Sequence, residues 1–475
     1  EEVKESSYHE YGEVQGNIEL KKGHVVLENT AKVGTIIVNP TESAKVSVGS
    51  NGGTVGAVVK KAGVTATIDS KLPSQEITQE QETEMKKFAG GIGTEASPYL
   101  IEKVEQLKEI SNFDGKSFKQ VKNIEIVSKE YTGIWLNGNY DGNGNNITIG
   151  EYKDDKNVLS LFAIGQNAKI SNLNVYSQPT CLLSVAELST EIQSLTIANV
   201  TTYVVGNETA YISQSNSSPF INEAIYFEAE NPGKVYVTFE NCVNNANIQN
   251  SGDCTGVFWG SGPYYGINNS NYVEGVESNN SWTHTKYAVE YYVTLNNCTN
   301  NGNITSKSQC GIVFGNSAGI GWGLKAGYTA EELIAMIKIN KVENYGTLSY
   351  INEVGASGVF THKTMEDKYS YLVKNHGKYT KSNNVLAGKD VSIYFDENGN
   401  LSIVGDGLKD AYQYELQITL PDLEMSANDA LMGRAYKATL KLATSANGTK
   451  LSTKDSNFAL KAYNYDELQE ATEID

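Results

Sequence analysis

Cys242 to Cys254 and Cys298 to Cys310 each span 12 positions, and Cys298 follows Cys242 by 298 − 242, or 56. Thiols at matched positions could ligate zinc, pair as disulfides in an oxidising compartment, or pack as small apolar groups. The spacing is not that of a zinc finger, and no histidine stands nearby. The favoured reading is two short stacks of buried thiols, with disulfides between neighbouring repeats left open. Asp141-Gly142-Asn143-Gly144 and Asp396-Glu397-Asn398-Gly399 look like the start of calcium loops. A calcium loop needs Glu at its twelfth position, where this chain has Tyr152 and Gly407, so both read as tight turns. Asp154-Asp155 reads as a solvated loop. Gly90-Gly91-Ile92-Gly93-Thr94 lacks the lysine and strand–loop–helix context of a phosphate cradle. His9, His24, His284, His362 and His376 are scattered and form no catalytic motif.

Aromatics give the densest chemical signal. Between Gly260 and Tyr292 lie Tyr264, Tyr265, Tyr272, Trp282, Tyr287, Tyr291 and Tyr292, with Trp259 at the start. Flat rings beside Asn and Ser suit sugars, whose C–H faces pack on aromatics while their hydroxyls meet amides. Trp259, Tyr264, Tyr265 and Trp282 are therefore the candidate binding residues. The competing reading is a loop that packs its own rings inward. No catalytic residue, metal ligand or cofactor is assigned.

Internal repeats set the elements that carry these residues. Phe239-Glu240-Asn241-Cys242-Val243-Asn244-Asn245-Ala246-Asn247-Ile248 aligns without gaps on Leu295 to Ile304 and on Ile339 to Leu348. Each copy runs on into Gly256-Val257-Phe258, Gly311-Ile312-Val313-Phe314 or Gly358-Val359-Phe360, and weaker copies sit at 170–175 and 195–200. Strand, Asn/Gly corner, second strand and Gly-rich corner recur, and one such unit cannot bury its own apolar face. Stacking units about 4.8 Å apart does so. It would place Asn244, Asn300 and Asn344 in an amide ladder and Val342 on the Cys298 position. Val104, Leu107 and Ile110 predict a short helix, and Thr329 with Glu332 predicts a capped helix over 329–337.

The flanks differ. Residues 12–68 alternate apolar and polar in short runs, as in Ile18/Leu20, Val25/Leu27, Ile36/Val38 and Val46/Val48. They read as a small β unit, either a sandwich or a short solenoid. Ser70 to Lys87 is polar and reads as a partly helical linker. After Asn384, Val391–Phe395 and Leu401–Val404 make a hairpin. Tyr412–Leu420, Arg434–Leu442 and Phe458–Tyr463 supply further strands of a sandwich-like module. The expected boundaries are 1–69 for the N-terminal β domain, 70–87 for the linker, 88–384 for the repeat region with insertions, and 385–475 for the C-terminal domain.

Composition excludes several classes. With 39% hydrophobic residues in 475, the chain can bury a core. A net charge of −18 argues against nucleic acid as partner. No apolar run reaches the roughly 18 residues of a membrane span. Many Gly, Asn and Tyr with only 8 Pro fit short strands joined by turns. Lysine supplies nearly all positive charge, and Arg434 is the one arginine, a bias typical of an AT-rich bacterial genome. The chain opens at Glu1 without a leader, so either a signal peptide has been removed or the sequence begins within a longer one.

Gly91-Ile92-Gly93-Thr94 to Pro98-Tyr99-Leu100-Ile101 resembles the opening signature of bacterial cell-surface β-helix proteins. Trp135 to Ile147, with Asn139-Tyr140-Asp141-Gly142-Asn143-Gly144 at its centre, is similar to their F-D-G-N-G turn of the coil. Leu159-Ser160-Leu161-Phe162 with Ile170-Ser171-Asn172-Leu173 is similar to the step that follows. The later Asn-Cys units resemble their adhesin repeats, although the usual Gly-Gly-x-x-Gly corner is degraded. The likeness covers about Phe88 to Phe360. It implies an all-β chain with a right-handed parallel β-helix, a pectate-lyase-like solenoid, flanked by the two smaller β domains.

Fold and resemblance together lead to a non-enzymatic, monomeric protein, secreted or displayed on a bacterial surface. Its ligand would be a polysaccharide or host-matrix polymer. One alternative is a polysaccharide lyase or glycoside hydrolase on the same fold, which hosts both classes. Lyases of the class use calcium and an arginine or lysine base, and the repeat region has no arginine. The other alternative is a structural spacer without a ligand.

Overall fold

The computed structural model describes residues 7–40, 45–126, 133–149, 161–177, 192–224, 233–263, 289–316, 323–324 and 326–350. It also describes shorter stretches at 2–3, 186–188, 265, 267–268, 283–284, 357–358, 373–376, 378–379, 391–395, 401–405, 412–418, 449–452 and 458–464. The chain separates into two compact units, one over 1–365 with 372–378 and one over 366–371 with 379–475.

Residues 7–77 form two parallel sheets. Glu13–Leu20, Lys32–Val38, Thr54–Lys61 and Ser74–Ile77 pair in succession in one, with Ile18, Ile36 and Val58 in register. Ser7–Glu10, Gly23–Leu27, Val46–Ser50 and Thr67–Ile68 pair in the other. Consecutive strands lie in different sheets, which is how short alternating runs pair parallel without long crossovers. Inward residues Ile18, Leu20, Val25, Leu27, Ile36, Val38 and Val58 are fully buried between the sheets. The polar stretch that follows holds a seven-residue helix, Gln79–Met85, closed by a capping box between Thr78 and Gln81.

The glycine-rich loop at 90–98 packs on the first of these sheets. Gly91 has φ 79°, and a Cβ there would sit 1.7 Å from the Pro98 carbonyl oxygen. Its N–H donates to Asn17 Oδ1 (3.1 Å), and the Ser97 and Thr35 hydroxyls bond in a buried contact. Gly56 lies under the loop, where a Cβ would meet the Ala96 oxygen at 1.9 Å. The glycines here serve close backbone packing, not phosphate.

A long parallel sheet follows. Tyr99–Ile101, Lys116–Gln120, Ile134–Asp141, Phe162–Ser177, Ser194–Val204, Gly233–Glu240, Val289–Asn300, Ile337–Asn344 and Val373–Asn375 pair in that order. A second parallel sheet joins Thr209–Ile212, Asn247–Asn250, Ile304–Ser306, Thr347–Tyr350 and Lys378–Tyr379, and a third joins Cys254–Gly256, Gln309–Gly311 and Ser357–Gly358. The gapless repeat alignment holds, with Phe239, Leu295 and Ile339 in one register and Ile248, Ile304 and Leu348 in another. Val342 lies beside Cys298. The expected helices are present at Val104–Glu109 and Ala330–Ala335, the latter with Thr329 and Glu332 bonded reciprocally.

One corner repeats through the long sheet. Asn172, Asn199, Asn241, Asn297 and Lys341 all have φ between 51° and 53°. Asparagine tolerates this left-handed backbone, and its side chain bonds to the next copy. Asn172 Nδ2 donates to Asp141 Oδ1, Asn199 to Asn172, Asn241 to Asn199 and Asn297 to Asn241, at 2.7–2.9 Å.

The cysteine register needs a correction. Cys254 pairs with Gln309 and Cys310 with Thr255, so these two thiols are not at matched positions. Three residues separate Asn250 from Cys254, but two separate Ser306 from Gln309. The one extra residue in the earlier corner shifts the strand. Cys181 lies outside the described residues.

In the second unit, Leu401–Gly405, Val391–Phe395 and Thr449–Ser452 form an antiparallel sheet, and Tyr412–Ile418 pairs antiparallel with Phe458–Asn464. The expected 391–404 hairpin is among these pairs. The expected 434–442 strand lies outside the described residues.

Candidate functional site

Side chains alternate across a strand, so inward apolar positions of the long sheet leave outward positions stacked in columns. On one outward column stand Ser194, Tyr236 and Tyr292, and two residues on stand Thr196, Thr238 and Thr294. Tyr236 and Tyr292 stack with centroids 5.2 Å apart, and Lys234 Nζ lies 5.6 Å from the Tyr292 centroid. Ser194 is too small to cover the other face of Tyr236, whose side chain is half exposed.

A second outward column begins four residues after each left-handed corner. It runs Tyr176, Tyr203, Asn245, Asn301, Tyr345, His376, as the strand pairings and the backbone bonds Asn245 N–H to Thr202 O, Asn301 N–H to Asn244 O, Tyr345 N–H to Asn300 O and His376 N–H to Asn344 O establish. Tyr176 and Tyr203 stack at 4.5 Å with planes 7° apart, and Tyr345 and His376 at 4.4 Å with planes 8° apart. Between the two ring pairs, Asn301 Nδ2 donates to Asn245 Oδ1 at 2.8 Å. The Tyr345 O–H donates to Glu343 Oε2 at 2.5 Å, and this bond holds the phenol above its usual pKa range.

Immediately inside this column lies the expected ladder. Thr202 Oγ1 donates to Asn244 Oδ1, Asn244 Nδ2 to Asn300 Oδ1 and Asn300 Nδ2 to Asn344 Oδ1, at 2.7–2.8 Å. Each amide also donates to the carbonyl two residues on, at Ala246, Gly302 and Gly346. All three asparagines are fully buried.

The sequence-predicted residues fall elsewhere. Trp259 and Tyr265 have 0% exposure. The Trp259 ring meets Tyr291 and Phe314 edge to face, each at 6.0 Å. Tyr265 meets Tyr291 at 5.9 Å and donates its O–H to the Tyr291 oxygen. Neither offers a face to a ligand, so for these two the inward-packing reading replaces the surface reading. Tyr264 and Trp282 lie outside the described residues. The outward column was missed because its members are spread over 200 residues. The available signal was their constant offset of four from Asn172, Asn199, Asn241, Asn297 and Lys341.

Other chemistry is packed away. Cys242 and Cys298 are fully buried, and burial pushes the Cys242 thiol well above its usual pKa range. Asp141 Oδ1 accepts from Asn143 N–H and Asn172 Nδ2, as a corner cap does. Among the described residues no group of three or more His, Cys, Asp or Glu is placed to hold a metal ion. A cavity of about 400 Å³ opens between the 13–15 and 32–35 strands and the 95–98 loop. Glu13, Glu95 and Asp141 share its lining with Lys32 and Lys119, and no aromatic lines it.

No family model matches this chain. An alignment over 104 residues, 18% of the chain, is 34% identical to a protein of Evansella cellulosilytica named "Putative Gly-rich membrane protein", and it spans 12% of that relative's length. No helix among the described residues is long and apolar enough to cross a membrane. A crystal structure titled as that of a "putative immunoglobulin A1 protease" from Bacteroides ovatus aligns with 66% of this chain and 94% of its own. Its TM-score is 0.30 and its identity 12%, too low to bear on function. What stands is a largely β chain with long parallel sheets.

Proposed function

We propose that the repeat region coils as a right-handed parallel β-helix and that the chain is a non-enzymatic binding protein, secreted or displayed on a bacterial surface. Its ligand is a glycan or host-matrix polymer lying along the outside of the coil. Three parallel sheets, each pairing a strand with its counterpart one repeat later, support the coil. On this reading each repeat is a rung, and the small β units expected at 1–69 and 385–475 precede and follow the repeats along the sequence, the first extended by the Ser74–Ile77 strand.

The observation that carries the function is the pair of outward columns built mainly of rings, hydroxyls and amides, with Lys169 and Lys338 at the two ends of the threonine row. In a chain of net charge −18, Ser194/Tyr236/Tyr292 with Thr196/Thr238/Thr294, and Tyr176 to Tyr345, present rings, hydroxyls and amides at rung spacing. A polymer has its own repeat, and a rigid row of like groups can meet successive units of it at little ordering cost. The test is retention of the full chain on immobilised neutral polysaccharides, acidic polysaccharides and fibrous collagen, with product analysis of each. Saturable retention on at least one, without new reducing ends or unsaturated product, is expected. Product would favour a lyase or hydrolase, and absence of retention on all of them a spacer.

A further inference from the structure

The second column is interrupted in a way that makes a site. Tyr203 has one face against Tyr176, and Tyr345 has one face against His376. Their other faces look toward each other across Asn245 and Asn301. Three rung spacings separate the two rings, about 14 Å. Asparagine is shorter than tyrosine, so the two amides form the floor of a shallow slot and the two rings form its end walls. Stacking with planes within 8° of parallel, at separations near the rung spacing, sets the ring normals along the stack. The open faces therefore point into the slot.

The floor is polarised. Asn301 gives its amide N–H to Asn245, which turns the Asn245 N–H₂ toward Tyr203 and the Asn301 carbonyl oxygen toward Tyr345. Neither of these outer halves has a hydrogen-bond partner among the described residues. The buried asparagines one residue earlier spend both halves on the protein. Each wall thus pairs one open aromatic face with one open amide half, a donor at the Tyr203 end and an acceptor at the Tyr345 end. An apolar ligand would strand the amides, and a strongly charged one would find no counter-charge on the floor. A pyranose satisfies both, since its C–H face packs on a ring while its hydroxyls both donate and accept.

We propose that Tyr203, Asn245, Asn301 and Tyr345 form a subsite for neutral pyranose units of a polysaccharide, with Tyr176 and His376 as positioning residues behind the walls. This rests on the polymer-binding reading and sharpens it.

The test measures binding of the full chain to cellohexaose, xylohexaose and chitohexaose, with oligogalacturonate and fibrous collagen as contrasting probes, for the wild type and three variants. Tyr345→Ala removes a wall. Asn301→Phe fills the slot and extends the ring stack, so it should keep or raise the melting temperature. Tyr211→Ala removes an exposed ring that lies outside both columns. The expected result is binding of at least one neutral hexasaccharide that falls tenfold or more in Tyr345→Ala and in Asn301→Phe, with Tyr211→Ala within threefold of wild type. Neutral-sugar binding that Asn301→Phe leaves intact would overturn the slot, as would an equal loss in Tyr211→Ala. Binding of oligogalacturonate or collagen only would overturn the slot while the broader reading survives. Absence of binding to every probe would overturn both.

Discussion

Asn300 and Asn301 are chain neighbours that each bond to an asparagine one repeat earlier, with opposite consequences. Asn300 is fully buried, accepts from Asn244, and donates to Asn344 and to the Gly302 carbonyl. Asn301 is exposed, donates to Asn245 and leaves its carbonyl oxygen open. Pleating sends one inward and the other outward. Inside, every polar atom must find protein, because an orphaned buried amide is costly. Outside, water can satisfy the remainder until a ligand does. The same residue type therefore carries stability in one column and is available for binding in the next.

The largest expected effect comes from breaking the inner column. Asn300→Leu removes the acceptor of one Asn244 N–H and the donor to Asn344 Oδ1 and to the Gly302 oxygen in a closed space, and should cost about 3 kcal/mol or more. Denaturant unfolding monitored by circular dichroism checks this, and a loss under 1 kcal/mol would place water in the core. The matching outer change, Asn301→Ala, should cost no more than about 0.5 kcal/mol. Equal losses for the pair would erase the distinction between columns.

A smaller effect sharpens the comparison at the corner. Lys341 occupies the left-handed position that asparagine holds in four neighbouring copies. Lys341→Asn should relieve backbone strain and extend the corner ladder onto Asn297, raising stability by roughly 1 kcal/mol. An unchanged or lower denaturation midpoint would show that the lysine conformation carries no strain. Smallest in energy is the behaviour of the thiols. Cys242 and Cys298 should stay unreactive toward a soluble disulfide reagent in the native chain and react on unfolding. Rapid native labelling would mean that this stretch of sheet opens.

Much of this contrast is written in the repeats. Aligning 239–248 on 295–304 and 339–348 predicts the registers and the buried Asn244–Asn300–Asn344 ladder, because strand length between corners is constant there. The Cys254 and Cys310 register was not legible, since one added corner residue shifts pairing without altering the spacing of the cysteines. Trp259 misleads for a related reason. It follows a Gly-rich corner, where strict alternation lapses, and bridges Ile221 and Phe314 as a core residue would. Tyr203 and Tyr345 belong to repeats 142 positions apart (345 − 203), with asparagines between them, so nothing local marks them as one surface.

The most direct test is a high-resolution crystal structure of the full chain soaked with the neutral hexasaccharide that binds best. A sugar ring stacked on the open face of Tyr203 or Tyr345, with a hydroxyl on Asn245 or Asn301, is the predicted result. A sugar bound elsewhere, or Tyr203, Asn245, Asn301 and Tyr345 found out of one column, would contradict it.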